Sequence, residues 1–122
     1  MAQVSNPIVL VVEDEMLIRM LAVEAFQEEG FSVLEAEHAA DALRMLADRP
    51  LIHVLFTDVN MPGEMNGIDL AEQLKAASPG LHLIITSALP ILRPIEHLPA
   101  RFVAKPYDPS SVIKIAKELL AA

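Results

Sequence analysis

Residues 54–63 read VLFTDVNMPG, and the fold turns on how this stretch is read. The apolar run 51–56, with one histidine in it, ends on Thr57 and Asp58, and the chain then turns at Asn60-Met61-Pro62-Gly63. Six residues bounded by Pro50 and Pro62 suit a buried strand, because a helix needs about twice that length. Asp58 then falls at the carboxyl end of a strand, where open parallel sheets place their ligand crevices. Taken alone, such an aspartate is more often a turn former or a helix cap. The rest of the chain reverses that weighting.

The 122 residues suffice for one domain with one continuous core, so residues 1–122 are read as a single unit. Hydrophobic residues make up 53%, yet there are only four Phe, one Tyr and no Trp, so aliphatic side chains and Met must build the core. The absence of cysteine excludes a disulfide framework and thiolate metal sites, and it fits a reducing, cytoplasmic setting. The first residues, MAQVSNPIVLVVEDE, lack the basic start of a signal peptide, and no apolar stretch approaches the ~20 residues of a membrane span. A net charge of -8 argues against nucleic acid as a partner, since phosphate contacts need clustered Lys and Arg. It suits a cation site or a basic partner surface.

Ile8–Val12 is β-branched without alternation, the pattern of a central parallel strand, and it ends on Glu13-Asp14-Glu15. Ile18, Leu21, Ala22, Ala25 and Phe26 then recur at helical spacing up to Gly30. Residues 31–36 form a second strand, 38–48 a helix with Ala39, Leu43, Leu46 and Ala47 inward, and Gly67–Ala77 a third helix. Residues 81–85 are a fourth strand, followed by Thr86-Ser87-Ala88. Five of the chain's nine prolines lie between positions 90 and 109, and residues 89–99 leave room for about one helical turn. Residues 101–104 make a short fifth strand. Asp108 or Ser110 starts the last helix, with Val112, Ile115, Ala116 and Leu119 inward and Ile113 and Leu120 outward.

This alternation predicts a doubly wound α/β layer with right-handed crossovers. One edge of the sheet then collects Glu13, Asp14, Asp58, Thr86, Ser87 and Lys105. Carboxylates held close raise one another's pKa or demand a cation. Oxygen ligands alone favour a hard divalent ion, and a few carboxylates with water suit Mg²⁺ better than Ca²⁺. His38, His53, His82 and His97 are not spaced as ligands and read as structural. Lys105 supplies an ammonium and Ser87 a hydroxyl, which completes a site for a phosphoryl group with a carboxylate as acceptor.

At this point the chain resembles the receiver domain of two-component response regulators, through VVEDE, TDVNMPG, TSA and KPY at successive strand ends. The resemblance covers essentially the whole chain and implies a flavodoxin-like five-stranded parallel sheet of order 2-1-3-4-5 with helices on both faces. It implies Asp58 as phosphoacceptor and Lys105 as the lysine ahead of a cis proline bond. It also implies Mg²⁺ ligands in Asp14, Asp58 and the Asn60 backbone carbonyl, with Glu13 acting through a water. Ser87 matches the switch hydroxyl, with Thr86 as the alternative should the register differ by one, and Phe102 matches the aromatic switch position. The implied partners are a sensor histidine kinase or histidine phosphotransfer protein, and an output protein of unknown identity.

Two features depart from the family pattern. The 61–67 loop is one residue longer than usual, and only residues 88–104 separate Ser87 from Lys105, so the fourth helix is short or absent. The usual output surface is then altered, and the loop 89–99 with Ile113 and Leu120 takes its place. The chemistry is self-phosphorylation and autodephosphorylation rather than turnover of a substrate. A phosphotransferase or phosphatase on a related sheet is the competing enzyme reading. Such enzymes place a second aspartate two residues after the nucleophile, and Asn60 stands there, unable to exchange a proton. A receiver used only for interaction is the third reading, and the intact acidic and lysine positions weigh against it.

Overall fold

The computed structural model of the chain describes residues 6–47, 51–91 and 95–121. In chain order the elements are β1 (Ile8–Val12), α1 (Met16–Glu28), β2 (Ser32–Ala36), α2 (Ala39–Leu46) and β3 (Val54–Asp58). They continue with α3 (Gly67–Ala77), β4 (His82–Ser87), β5 (Ala100–Ala104) and α4 (Pro109–Ala121). The strands form one parallel sheet in the order β2-β1-β3-β4-β5. This is the expected flavodoxin-like arrangement.

Successive strand residues point to opposite faces, so the unbroken Val/Leu/Ile runs feed two cores. Leu10, Leu55, Leu83 and Ile85 meet Ala42, Ile68 and Ala71 of α2 and α3 on one face. Val9, Val11, Phe56 and Ile84 meet Ala22 and Phe26 of α1 and Val112 and Ala116 of α4 on the other. No helix among the described residues is long and apolar enough to cross a membrane.

β3 begins later than expected, because its ladder with β1 opens at Val9–Val54, leaving Leu51 exposed. The His53 ring is structural: its Nδ1 accepts from the Ile8 N–H at 3.0 Å. His38 caps α2, its Nδ1 accepting from the Asp41 N–H, while position 48, the expected end of that helix, lies outside the described residues.

Two helix faces differ from the expected stripes. In α1 the buried positions are Arg19, Ala22 and Phe26, while Leu21 is 53% exposed. The segment MLIRMLAVEAF carries more apolar residues than one face can hold. In α4 Ile113 is buried and Leu120 half-buried against the same core, so neither offers the outward surface expected of it. The pairs 112/113, 115/116 and 119/120 form a stripe wide enough to pack against both the sheet and α1.

The described residues between β4 and β5 contain no helix. Leu98 is buried, and Ile91 and Ile95 pack beside it, so this segment closes the core that a helix would otherwise cover.

Candidate functional site

The site lies where β1, β3, β4 and β5 end. Glu13 follows β1 directly, Asp58 is the last residue of β3, and Thr86 pairs with Asp58 in the ladder. Lys105 follows β5, and its backbone N–H donates to the Ser87 carbonyl at 3.1 Å. From there its Nζ donates to Glu13 Oε1 at 2.8 Å and to Asp58 Oδ2 at 3.1 Å. Glu13 and Asp58 are buried and Asp14 is exposed, yet one carboxylate oxygen from each lies within 4.8 Å of the others.

The turn after β3 is built to hold Asp58. The Thr57 hydroxyl donates to the Asp58 carbonyl at 2.9 Å, and the Val59 N–H donates to the Thr86 carbonyl at 3.0 Å. α3 starts with a capping box: Asn66 accepts from Ile68 and Asp69, while Asp69 accepts from the Asn66 N–H. This brings the backbone of Gly67 against the Asp58 carbonyl. A Cβ at Gly67 would stand 1.9 Å from that oxygen.

The electrostatics are those of acids short of positive charge. Burial pushes the Asp58 carboxyl up, the Lys105 hydrogen bond and charge pull it back, and Asp14 pushes it up again; the net direction is upward. Glu13 is also raised, by burial first, with Lys105 and the Glu15 N–H opposing and the Asp58 charge adding to it. Burial acts to lower Lys105, but its bonds to Glu13 and Asp58 outweigh that, and its pKa is raised. Three carboxylates around one ammonium therefore have room, in charge and in oxygen donors, for a hard divalent cation. The cluster fits a Mg²⁺ site.

Of the remaining expected residues, Asn60, Thr86 and Ser87 lie at or just after the ends of β3 and β4, and Phe102 lies within β5. Asn60 follows Asp58 in the turn, its Nδ2 donating to Ser87 Oγ at 3.3 Å. Ser87 ends β4, and its hydroxyl donates to the Leu89 carbonyl at 2.7 Å while accepting from the Leu89 N–H at 3.2 Å. Thr86, the alternative, is buried, and its hydroxyl has no hydrogen-bond partner. Phe102 is 41% exposed on the sheet face shared with Ile85. The Lys105–Pro106 bond is cis.

Three residues that the sequence did not single out also belong here: Gly67, Tyr107 and Arg19. Tyr107 packs its ring on Phe56, and its phenol is pushed up to about 12, by burial first and then by the Glu13 charge. Arg19 donates from Nη1 to the Glu13 carbonyl at 2.9 Å. Its only signal in sequence was a charged residue inside an apolar helix, legible once the helix phase is known.

A doubly wound sheet with clustered acids and a lysine at its carboxyl edge is the arrangement that the resemblance to receiver domains implies. Residues 9–117 match the family described as Response regulator receiver domain, and the chain belongs to that family. Two curated proteins show the range of its relatives. One is sensor kinase CckA of Brucella abortus (strain 2308), 32% identical over 117 residues, covering 92% of this chain but only 12% of the kinase. The other is sporulation initiation phosphotransferase F of Bacillus subtilis (strain 168), 30% identical over 120 residues and covering 94% of each. Among solved structures, a response regulator receiver protein from Sinorhizobium medicae WSM419 superposes with a TM-score of 0.87 at 20% identity, covering 96% of both chains. The chain is thus a receiver domain of two-component signalling, a family whose general role is to accept a phosphoryl group.

Proposed function

We propose that Asp58 accepts a phosphoryl group from a phosphohistidine of a sensor kinase or phosphotransfer protein, in the cytoplasm, with residues 1–122 acting as one receiver unit. The observation that carries this reading is the Lys105 ammonium bridging Glu13 and Asp58. A second carboxylate pair on the same centre, Glu13 and Asp14, supports a metal site beside the acceptor. Asp14, Asp58 and the Asn60 carbonyl would hold Mg²⁺, with Glu13 acting through a water. The ion would neutralise phosphoryl oxygens in flight.

An Asp58 oxygen attacks phosphorus in line, the P–N bond breaks, and the imidazole leaves with its electron pair and takes up a proton. Lys105 faces the transferred oxygens and offsets their charge. Asn60 cannot take a proton from an attacking water, so hydrolysis of the acyl phosphate is slow. That suits a signalling lifetime with autodephosphorylation rather than enzymatic turnover.

The α1 surface supports docking of the donor. Met16, Leu17, Met20 and Leu21 are each at least half exposed on one helix beside the site. Leu21 also lines a cavity of about 320 Å³ with Ile18, Ala88, Tyr107 and the Lys105 stem. An apolar patch at the mouth of a phosphoryl site suits a partner helix that presents its histidine there. We assign the switch hydroxyl to Ser87 rather than Thr86, because Ser87 already holds the chain at Leu89. Transfer of labelled phosphate from a phosphorylated histidine phosphotransfer protein, compared between the wild type and Leu17→Glu, tests the docking face. Slower transfer with an unchanged rate from acetyl phosphate is expected.

A further inference from the structure

We propose that Arg19 is a positioning residue for the cation site, one that fixes the Glu13–Asp14 peptide so that the Asp14 carboxylate faces Asp58. The inference rests on the Mg²⁺ reading above and adds a residue to it.

Arg19 lies on the inner face of α1 with its side chain 11% exposed. A guanidinium in that position is costly unless each donor finds a partner, and a methionine would pack there more cheaply. Its donors fan out in two directions. Nη1 meets the Glu13 carbonyl at 2.9 Å, while Nε meets Glu35 Oε1 of β2 at 3.0 Å and Nη2 lies 3.9 Å from Glu37 Oε1. The backbone N–H of Glu13 is held in turn by the Ala36 carbonyl at 3.1 Å. Its side chain is held by Lys105 and the Glu15 N–H. Every polar group of Glu13 is therefore anchored, and among the described residues its carbonyl is anchored by Arg19 alone.

That carbonyl belongs to the peptide whose other half is the Asp14 N–H. Rotating this plane would swing the Asp14 side chain, exposed and adjacent to the cluster, away from Asp58. Glu35 and Glu37 already offset the Arg19 charge, so its effect on the acidic centre is one of geometry rather than field. A planar fork can serve a carbonyl and a carboxylate together, whereas a lysine offers one point charge.

Mg²⁺ titration by isothermal calorimetry tests this, on the wild type, Arg19→Lys, Glu35→Gln and a surface control, Arg44→Lys. The control should bind as the wild type does. Arg19→Lys should remain folded by circular dichroism and bind Mg²⁺ roughly tenfold more weakly, the usual scale for losing a residue that orients a ligand. Adding Arg19→Lys to Asp14→Asn should weaken binding no further, because both act through the same ligand. An unchanged Kd in Arg19→Lys, or full additivity with Asp14→Asn, would overturn the proposal. Should Arg19→Lys unfold, Glu35→Gln carries the test: weaker binding supports the clamp, and the wild-type Kd overturns it. A wild type without Mg²⁺ binding would refute the cation site itself, and the proposal with it.

Discussion

Gly67 and Asp58 are in backbone contact: the space where a Gly67 Cβ would sit is occupied, at 1.9 Å, by the Asp58 carbonyl oxygen. The helix that follows Asp58 is therefore packed directly on that residue's own peptide. In an open helix Gly→Ala stabilises by up to about 1 kcal/mol. Here the steric cost should win, and Gly67→Ala should destabilise the fold by about 1–3 kcal/mol, the usual range for overpacking. Urea denaturation measures this, and a more stable variant would show that the contact does not exist.

The raised carboxyl of Asp58 has a signed consequence for stability without metal. Its folded pKa lies above its unfolded value, so the fold favours the protonated form and is penalised where the group is ionised. Asp58→Asn should accordingly be more stable than the wild type at pH 7 in chelator. That advantage should shrink as pH falls through the raised value toward the unfolded carboxylate pKa. Paired urea melts at pH 7 and pH 5 check it, and an advantage that grows on acidification would contradict it.

Tyr107 gives an optical view of the same centre, since the chain has a single tyrosine. Phenolate absorbance should titrate near pH 12 in the folded protein and near the ordinary value of 10 in urea. Because the folded value is the higher, this group contributes stability below pH 10 that is lost as pH rises toward 12. Glu13→Gln removes a charge that raises the phenol and should lower the folded midpoint. A midpoint that stays in place would mean that Tyr107 does not sense the acidic centre.

Much of this site was legible in the residues themselves. Glu13, Asp14, Asp58 and Lys105 could be brought together because β-strands end abruptly on polar residues, and a parallel sheet puts those ends on one edge. β1 and α3 were also readable to the residue, the first from its β-branched run and the second from the Gly67 start and Ser78-Pro79-Gly80 stop. The phases of α1 and α4 were not readable. Both helices carry apolar residues on more than one face, so periodicity could not choose between Leu21 and Arg19, or place Ile113 in the core. Gly67 was readable as the start of α3, but its contact with Asp58 depends on how α3 docks, which no local pattern encodes.

Ser87 now holds Leu89 by two hydrogen bonds. A phosphoryl group on Asp58 offers the hydroxyl a charged acceptor, a stronger partner than a carbonyl. Beryllofluoride should therefore release Leu89, seen as faster exchange of its amide, whereas Ser87→Ala should show fast exchange with or without the mimic. Protection at Leu89 that is unaffected by both would mean that the switch runs elsewhere.

The central claim is that Asp58 is the acceptor, and direct labelling tests it. Wild type and Asp58→Asn would be incubated with Mg²⁺ and ³²P-labelled acetyl phosphate, then treated with hydroxylamine. Hydroxylamine-labile label is expected on the wild type and none on the variant. Equal labelling of the two proteins would contradict it.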